Sequence, residues 1–349
     1  MAKKKKEEQL NFKETQRELQ ELGPKPLYFL WGAEDYLSDY FVKEIKNACI
    51  PDGFDDFSYR RINAGDFSTQ LLAEAVDAVP FMTERTMVEV RDLNLNQLRD
   101  EEVEAVIKVL KDIPEYCTVV FIQSASFEPD KRLKFYKSFL NIAHELHFTA
   151  QRDDQLIKWI VKRFSAAGKS IELNAAQRLI AVSGDLMNNL IPEINKVAAY
   201  AKGEKVSIQD VEDVAHHIPE AVVFDMTECL SRGESNAAMA YLAELLGDKN
   251  NEPIYLLAMI GMQMRRLYAA KIAIDTEDAK EYLRKNCGIK YEFIATKLIV
   301  AARKFSEENL ARAVELCAET DYKMKSSGED PVELLKDCVL RIASGERDA

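Results

Sequence analysis

The sequence predicts an α/β domain with a parallel sheet, followed by an all-helical region that fills the rest of the chain. Three observations carry this. Short apolar runs alternate with helix-spaced segments from 24 to about 149. Beyond 150 the strand signal almost vanishes and apolar residues recur at helical spacing as far as 343. Gly and Pro at 233, 247, 253, 288, 328 and 331 fall mostly between those helical stretches.

The elements can be justified in order. Leu27-Tyr28-Phe29-Leu30-Trp31 is an apolar, aromatic-rich run suited to a buried strand. Gly32 permits a sharp turn, and Tyr36, Leu37, Tyr40, Phe41 and Ile45 then follow at helical spacing. Phe57, Tyr59 and Ile62 alternate with polar residues, which predicts a half-buried strand. Leu71, Leu72, Ala75 and Val76 mark a helix, Thr86 to Val90 a strand, and 101–112 a helix. Thr118 to Ile122 is the clearest buried strand, and a helix over 130–142 with the short run Glu145 to Phe148 completes the unit. Further on, helices are predicted over 153–167, 174–183, 186–202 and 207–216, the last opened by Ser207 and Asp210 in a capping box. Seven more follow at 221–231, 234–247, 252–274, 276–286, 289–304, 306–325 and 330–343. The chain therefore divides into a charged tail (1–23), an α/β domain (24–149), a small helical domain (150–219) and a larger helical bundle (220–349).

Composition narrows the function classes. A chain of 349 residues exceeds one ordinary core. The net charge of -12 gives no global attraction toward nucleic acid or anionic membrane. The six cysteines, at 49, 117, 229, 287, 317 and 338, show no paired spacing and read as buried thiols of a reducing cytoplasm. The start MAKKKKEEQLNFKE lacks a following apolar segment and reads as a solvated tail, not a secretory signal. The longest apolar run, Ile254 to Met264, is too short for a membrane span.

Four candidate chemistries follow. A phosphate loop after the first strand needs several glycines and a lysine for the terminal phosphates. Gly32-Ala33-Glu34-Asp35-Tyr36 offers one glycine and two carboxylates, so a tight strand-to-helix turn is the better reading. His144 and His147, spaced as HELH, and the adjacent His216 and His217 do not match a helical zinc motif, so no metal is expected. In AVDAVPFMTERTMVEV, Pro80 breaks a helix and Phe81 and Met82 follow directly. On composition alone the pair reads as core at a sheet edge; projection as a partner's anchors is the alternative. Finally, Arg265, Arg266, Lys271, Arg303, Lys323 and Lys325 fall in the last domain, where a solvated face competes with a few phosphate contacts.

Taken together, the order of domains and several phrases resemble the delta subunits of the bacterial DNA polymerase III clamp loader. The residues that carry the resemblance are LYFLWGAEDYL in place of a Walker A loop, AVPFMTERTMVEV, and LIPEINKVAAYA at 190–201. It continues through VVFDMTECLSRGESNAAMAYLAELL at 222–246, QMRRLYAAK at 263–271 and AETDYKMK at 318–325. It covers the chain from about 24 to 343.

The resemblance implies a degenerate AAA+ fold: a RecA-like α/β domain without a functional Walker A loop, a helical lid and a helical collar. It implies a subunit that hydrolyses no ATP, needs no cofactor and has no catalytic site, although it is part of a DNA polymerase holoenzyme. Its partners would be the sliding clamp (the beta subunit), the gamma/tau and delta prime subunits through the collar, and primed DNA within the complex, with no membrane. The clamp-binding element maps onto Pro80, Phe81 and Met82, which reverses the preference stated for that pair. Some members have Leu-Phe where this chain has Phe-Met, and the apolar anchoring is kept. Two rivals remain: an NTPase subunit of the same or another AAA+ assembly, and a nucleic-acid-binding helical scaffold using the basic face of the last domain.

Overall fold

Five short runs build one parallel sheet in the computed structural model, which describes residues 15–124, 127–276 and 278–345. Strands β1 (Leu27–Trp31), β2 (Tyr59–Asn63), β3 (Thr86–Arg91), β4 (Cys117–Ile122) and β5 (His144–His147) lie in the order β2-β3-β4-β1-β5. Every neighbouring pair is parallel, with Phe29 opposite Phe121 and Leu30 opposite Leu146 in register. β4 is buried along its whole length and β1 along all but its last residue, because helices cover both faces of the sheet. That burial is why these strands read as continuous apolar runs.

The helices of this unit are α1 (15–22), α2 (Asp35–Cys49), α3 (Asp55–Ser58), α4 (Thr69–Asp77), α5 (Asp100–Lys111) and α6 (Lys134–Phe139). Phe29, Val88, Val90, Val119 and Phe121 face one core with Leu72 and Val76 of α4, Val106 and Leu110 of α5, and Phe135 and Phe139 of α6. Tyr28, Leu30, Val120 and Ile122 face the other, with Leu19 of α1 and Phe41 and Ile45 of α2. Residues Met1–Ala150 form a compact unit together with Leu186–Asn188.

Among its described residues, the second unit, Gln151–Asp185 with Asn189–Ala349, is helical with one small parallel pair, β6 (Ser170–Ile171) and β7 (Lys205–Val206). Around that pair lie α7 (Asp153–Ala166), α8 (Leu173–Ser183), α9 (Met187–Tyr200) and α10 (Ile208–Val214). The remainder comprises α11 (Pro219–Ser231), α12 (Ser235–Gly247), α13 (Pro253–Ala273), α14 (Ala279–Asn286), α15 (Glu292–Ala302), α16 (Glu307–Ser326) and α17 (Pro331–Ser344). The capping box of α10 is present: Asp210 accepts from the Ser207 backbone N–H at 2.8 Å, and the Ser207 hydroxyl accepts from the Asp210 N–H at 3.3 Å. α13 packs along α16, and Gly261 permits the close approach, since a Cβ there would stand 3.4 Å from Cys317 Cβ. Among the described residues no helix is long and apolar enough to cross a membrane.

The expected α/β plus all-α architecture is therefore found, with local differences that have physical causes. The helix predicted over 130–142 is shorter, because the Asp130 carboxylate accepts the Arg132 N–H at 3.1 Å and its carbonyl accepts the Leu133 N–H. That turn delays the start of α6 to Lys134. Phe57, expected inside a strand, sits in the short helix α3 instead. The solvated tail does not extend over 15–22, where Leu19 is buried in the core beside α2. The lysine run falls in 1–14, outside the described residues.

Candidate partner-binding edge of the sheet

Because all five strands point the same way, the sheet has two chemically different edges. The segments that precede β2 and β3 lie at the edge where strands begin, and the turn after β1 lies at the edge where they end. β2 and β3 are paired in register, Tyr59 opposite Met87, so the residues just before them are brought together.

At the starting edge, Phe81 and Met82 are exposed, 61% and 70% of their surface respectively, and Val79 beside them is 75% exposed. Pro80 is half-buried and, with α4 ended at Asp77, turns the chain away from the helix. The loop is tied at both ends. The Tyr116 hydroxyl donates to the Asp77 carbonyl at 3.2 Å. The Thr83 hydroxyl donates to the Arg85 carbonyl at 3.0 Å, so the 2.6 Å contact between Ser58 and Thr83 has the Ser58 hydroxyl as donor. Met82 has φ 61°, in the left-handed region that non-glycine residues seldom occupy. The result is a held loop presenting large apolar side chains to solvent, an arrangement typical of interaction sites.

Phe57 joins this edge. It is 60% exposed, and its ring centroid lies 6.0 Å from that of Phe81 with the planes inclined by 53°. Strand-like alternation with Tyr59 and Ile62 concealed it in the sequence. The signal that could have found it is Asp55-Asp56, a carboxylate pair at a helix start.

The opposite edge holds the turn where a phosphate loop would stand. Gly32 has φ 128°, and a Cβ there would fall 2.2 Å from the Phe148 carbonyl oxygen, so only glycine fits. The Glu34 N–H donates to that same carbonyl at 3.1 Å, and the buried Glu34 carboxylate accepts the Met187 N–H at 3.3 Å. Trp31 stacks on His147 with centroids 3.7 Å apart, and its indole N–H donates to Glu145 at 2.9 Å. Backbone, carboxylate and aromatic groups thus fill this edge.

The other sequence candidates are scattered. His144 is the N-terminal residue of β5, where its Nδ1 receives the Lys25 ammonium at 3.2 Å and its Nε2 contacts the Thr15 hydroxyl at 3.0 Å. Because an ammonium only donates, the ring is neutral with its proton on Nε2. Burial, and then the Lys25 charge, hold its pKa below the ordinary histidine value, with Glu18 opposing them. Among the described residues no three His, Cys, Asp or Glu side chains come together as a metal site. Arg265, Arg303, Lys323 and Lys325 are exposed, whereas Lys271 is half-buried. Arg266 is half-buried too: it donates to the Cys287 carbonyl at 3.3 Å, and burial lowers its pKa. Lys325 is paired with Asp321 at 2.7 Å. These basic groups lie on α13, α16 and the end of α15, with Arg266 turned inward.

Comparison with known proteins gives consistent results. A family model described as "DNA polymerase III, delta subunit" matches residues 28–149, and one for the "DNA polymerase III delta subunit, C-terminal domain" matches residues 220–342. The two together span the greater part of the chain. The chain is 24% identical over 326 residues to the DNA polymerase III subunit delta of Bacillus subtilis (strain 168), covering 91% of this chain and 92% of that protein. It is 26% identical over 247 residues to the probable DNA polymerase III subunit delta of Aquifex aeolicus (strain VF5), covering 68% and 69%. Among solved structures, the Bacillus subtilis DNA clamp loader delta protein superposes with a TM-score of 0.54 at 21% identity, covering 95% of this chain and 99% of that one. That last likeness establishes a shared fold.

Proposed function

This chain belongs to the DNA polymerase III delta-subunit family, and from that premise we propose that it binds and opens the sliding clamp, the ring to be loaded on primed DNA. The observation that carries the reading is the starting edge of the sheet, where Phe81 and Met82 stand exposed on a loop tied at both ends. Burying each of them in a pocket of the clamp would contribute about 1.5–3 kcal/mol. Two such anchors give a docking event in which few side chains carry most of the affinity. Binding tighter to a sprung ring than to a closed one shifts the ring toward opening by that difference.

On this reading the chain performs no bond chemistry of its own. Supporting it, the Glu34 amide at the β1–α2 turn is engaged by the Phe148 carbonyl, and the turn brings two carboxylates where a triphosphate needs cations. ATP hydrolysis falls to other subunits of the loader. Residues 150–219 act as a lid, and 220–349 as the collar that assembles with the gamma/tau and delta prime subunits. The exposed Arg265, Lys323 and Lys325 are the chain's candidates for DNA contact within the assembled loader, which works in the cytoplasm.

The test is calorimetric titration of the full chain with the cognate clamp. Phe81→Ala combined with Met82→Ala is expected to abolish measurable binding while the circular dichroism spectrum and melting temperature stay unchanged. Wild-type affinity in the double variant would sink the assignment.

A further inference from the structure

We propose that Phe57 is a third clamp anchor, making one continuous apolar contact surface with Phe81 and Met82; the inference rests on the clamp-binding reading of that edge. Three observations bring Phe57 into it. Its ring is 60% exposed although a phenylalanine at this depth could turn inward, as Phe54 does one helical turn earlier against the core beneath α2. Its centroid stands 6.0 Å from that of Phe81, the separation of two rings in tilted contact. And Ser58, the next residue, is the one whose hydroxyl holds Thr83, so α3 and the anchor loop are fixed to one another by a 2.6 Å hydrogen bond.

The geometry follows from strand pairing. Phe57 lies two residues before β2 and Phe81 shortly before β3, and these two strands run parallel side by side. Any partner that covers Phe81 from the starting edge of the sheet meets Phe57 in the same step. Burial of the Phe57 ring on complex formation excludes water from the flank of Phe81, which is the condition under which an anchor contributes fully. The flanking Asp55 is held by Lys46 at 2.6 Å, and the ring stands exposed beside it on α3.

The experiment uses the full-length chain and the intact clamp ring. Phe57→Ala is expected to weaken binding about tenfold, equivalent to about 1.4 kcal/mol, with an unchanged melting temperature. Phe57→Leu, which keeps an apolar side chain, is expected to recover most of that loss. Hydroxyl-radical footprinting of the wild-type chain supplies a readout that needs no variant: Phe57 should become protected when the clamp is added. If the Phe81/Met82 double variant loses binding while Phe57→Ala binds within about twofold of wild type and Phe57 stays fully reactive, the third anchor is overturned and the clamp-binding reading stands. If the double variant binds normally, the reading itself fails and takes the third anchor with it.

Discussion

Met82 holds φ 61° without the glycine that such a conformation favours. An L side chain in the left-handed region costs roughly 1–2 kcal/mol, and such strain persists only where neighbours enforce it. Here the enforcement is visible: Tyr116 fixes the loop at Asp77, and Ser58 fixes it at Thr83. Met82→Gly relieves that strain but adds freedom to the unfolded chain, so its stability should match or exceed wild type by no more than about 1 kcal/mol. The same variant should bind the clamp at least about tenfold more weakly, because the thioether is gone. A thermal melt beside a clamp titration reads both. A variant that melts well below wild type would show that the loop does not strain Met82.

Among the elements, α8 is fastened to two neighbours by one side chain. Arg178 is buried, its guanidinium donating to Asp225 of α11 at 2.8 and 3.2 Å and to Glu212 of α10 at 3.2 Å. Burial alone would lower its pKa; the two carboxylates outweigh that and raise it, so one fixed cation is shared between two anions. Truncating one partner of a buried ionic cluster leaves uncompensated charge and costs about 3–5 kcal/mol. Arg178→Ala should therefore lower the urea midpoint of the helix-rich unit sharply, followed by far-ultraviolet circular dichroism. An unchanged midpoint would mean that water already satisfies the carboxylates.

Which elements were legible in the sequence depends on the same physics. β1 and β4 announce themselves because burial on both faces demands uninterrupted apolar residues. The helices from α11 onward announce themselves because apolar residues recurring at helical spacing must face one core. β6 and β7, two residues each, are shorter than any periodicity and were invisible. α1 was hidden by its charged surroundings, since the burial of Leu19 depends on a tertiary contact that no local pattern encodes. At the candidate site, Phe81 and Met82 were legible as a proline break followed by two large apolar residues. Phe57 was not, because its nearness to Phe81 arises from the pairing of β2 with β3.

Across the whole molecule, acid sensitivity should include a component from His144, which joins residues near α1 to β5. Its folded pKa lies below the ordinary value near 6.5 because burial and Lys25 disfavour the imidazolium, with Glu18 the nearby carboxylate that opposes them. The unfolded chain therefore takes up the proton first as pH falls, and the stabilisation present above about pH 6.5 is lost between there and the lower folded pKa. Thermal melts from pH 8 to 5 should show the wild type losing stability faster than His144→Gln, whose amide can keep both hydrogen bonds without titrating. Parallel curves for the two would exclude His144 as a contributor.

The polarity of the sheet has one more consequence. Strands of five and six residues at about 3.3 Å each separate the closed turn after Trp31 from the apolar edge before Thr86 by roughly 17–20 Å. The hydrogen-bonded ladder of these strands, packed on both faces, deforms very little. The two edges are mechanically joined: a push on one arrives at the other as displacement.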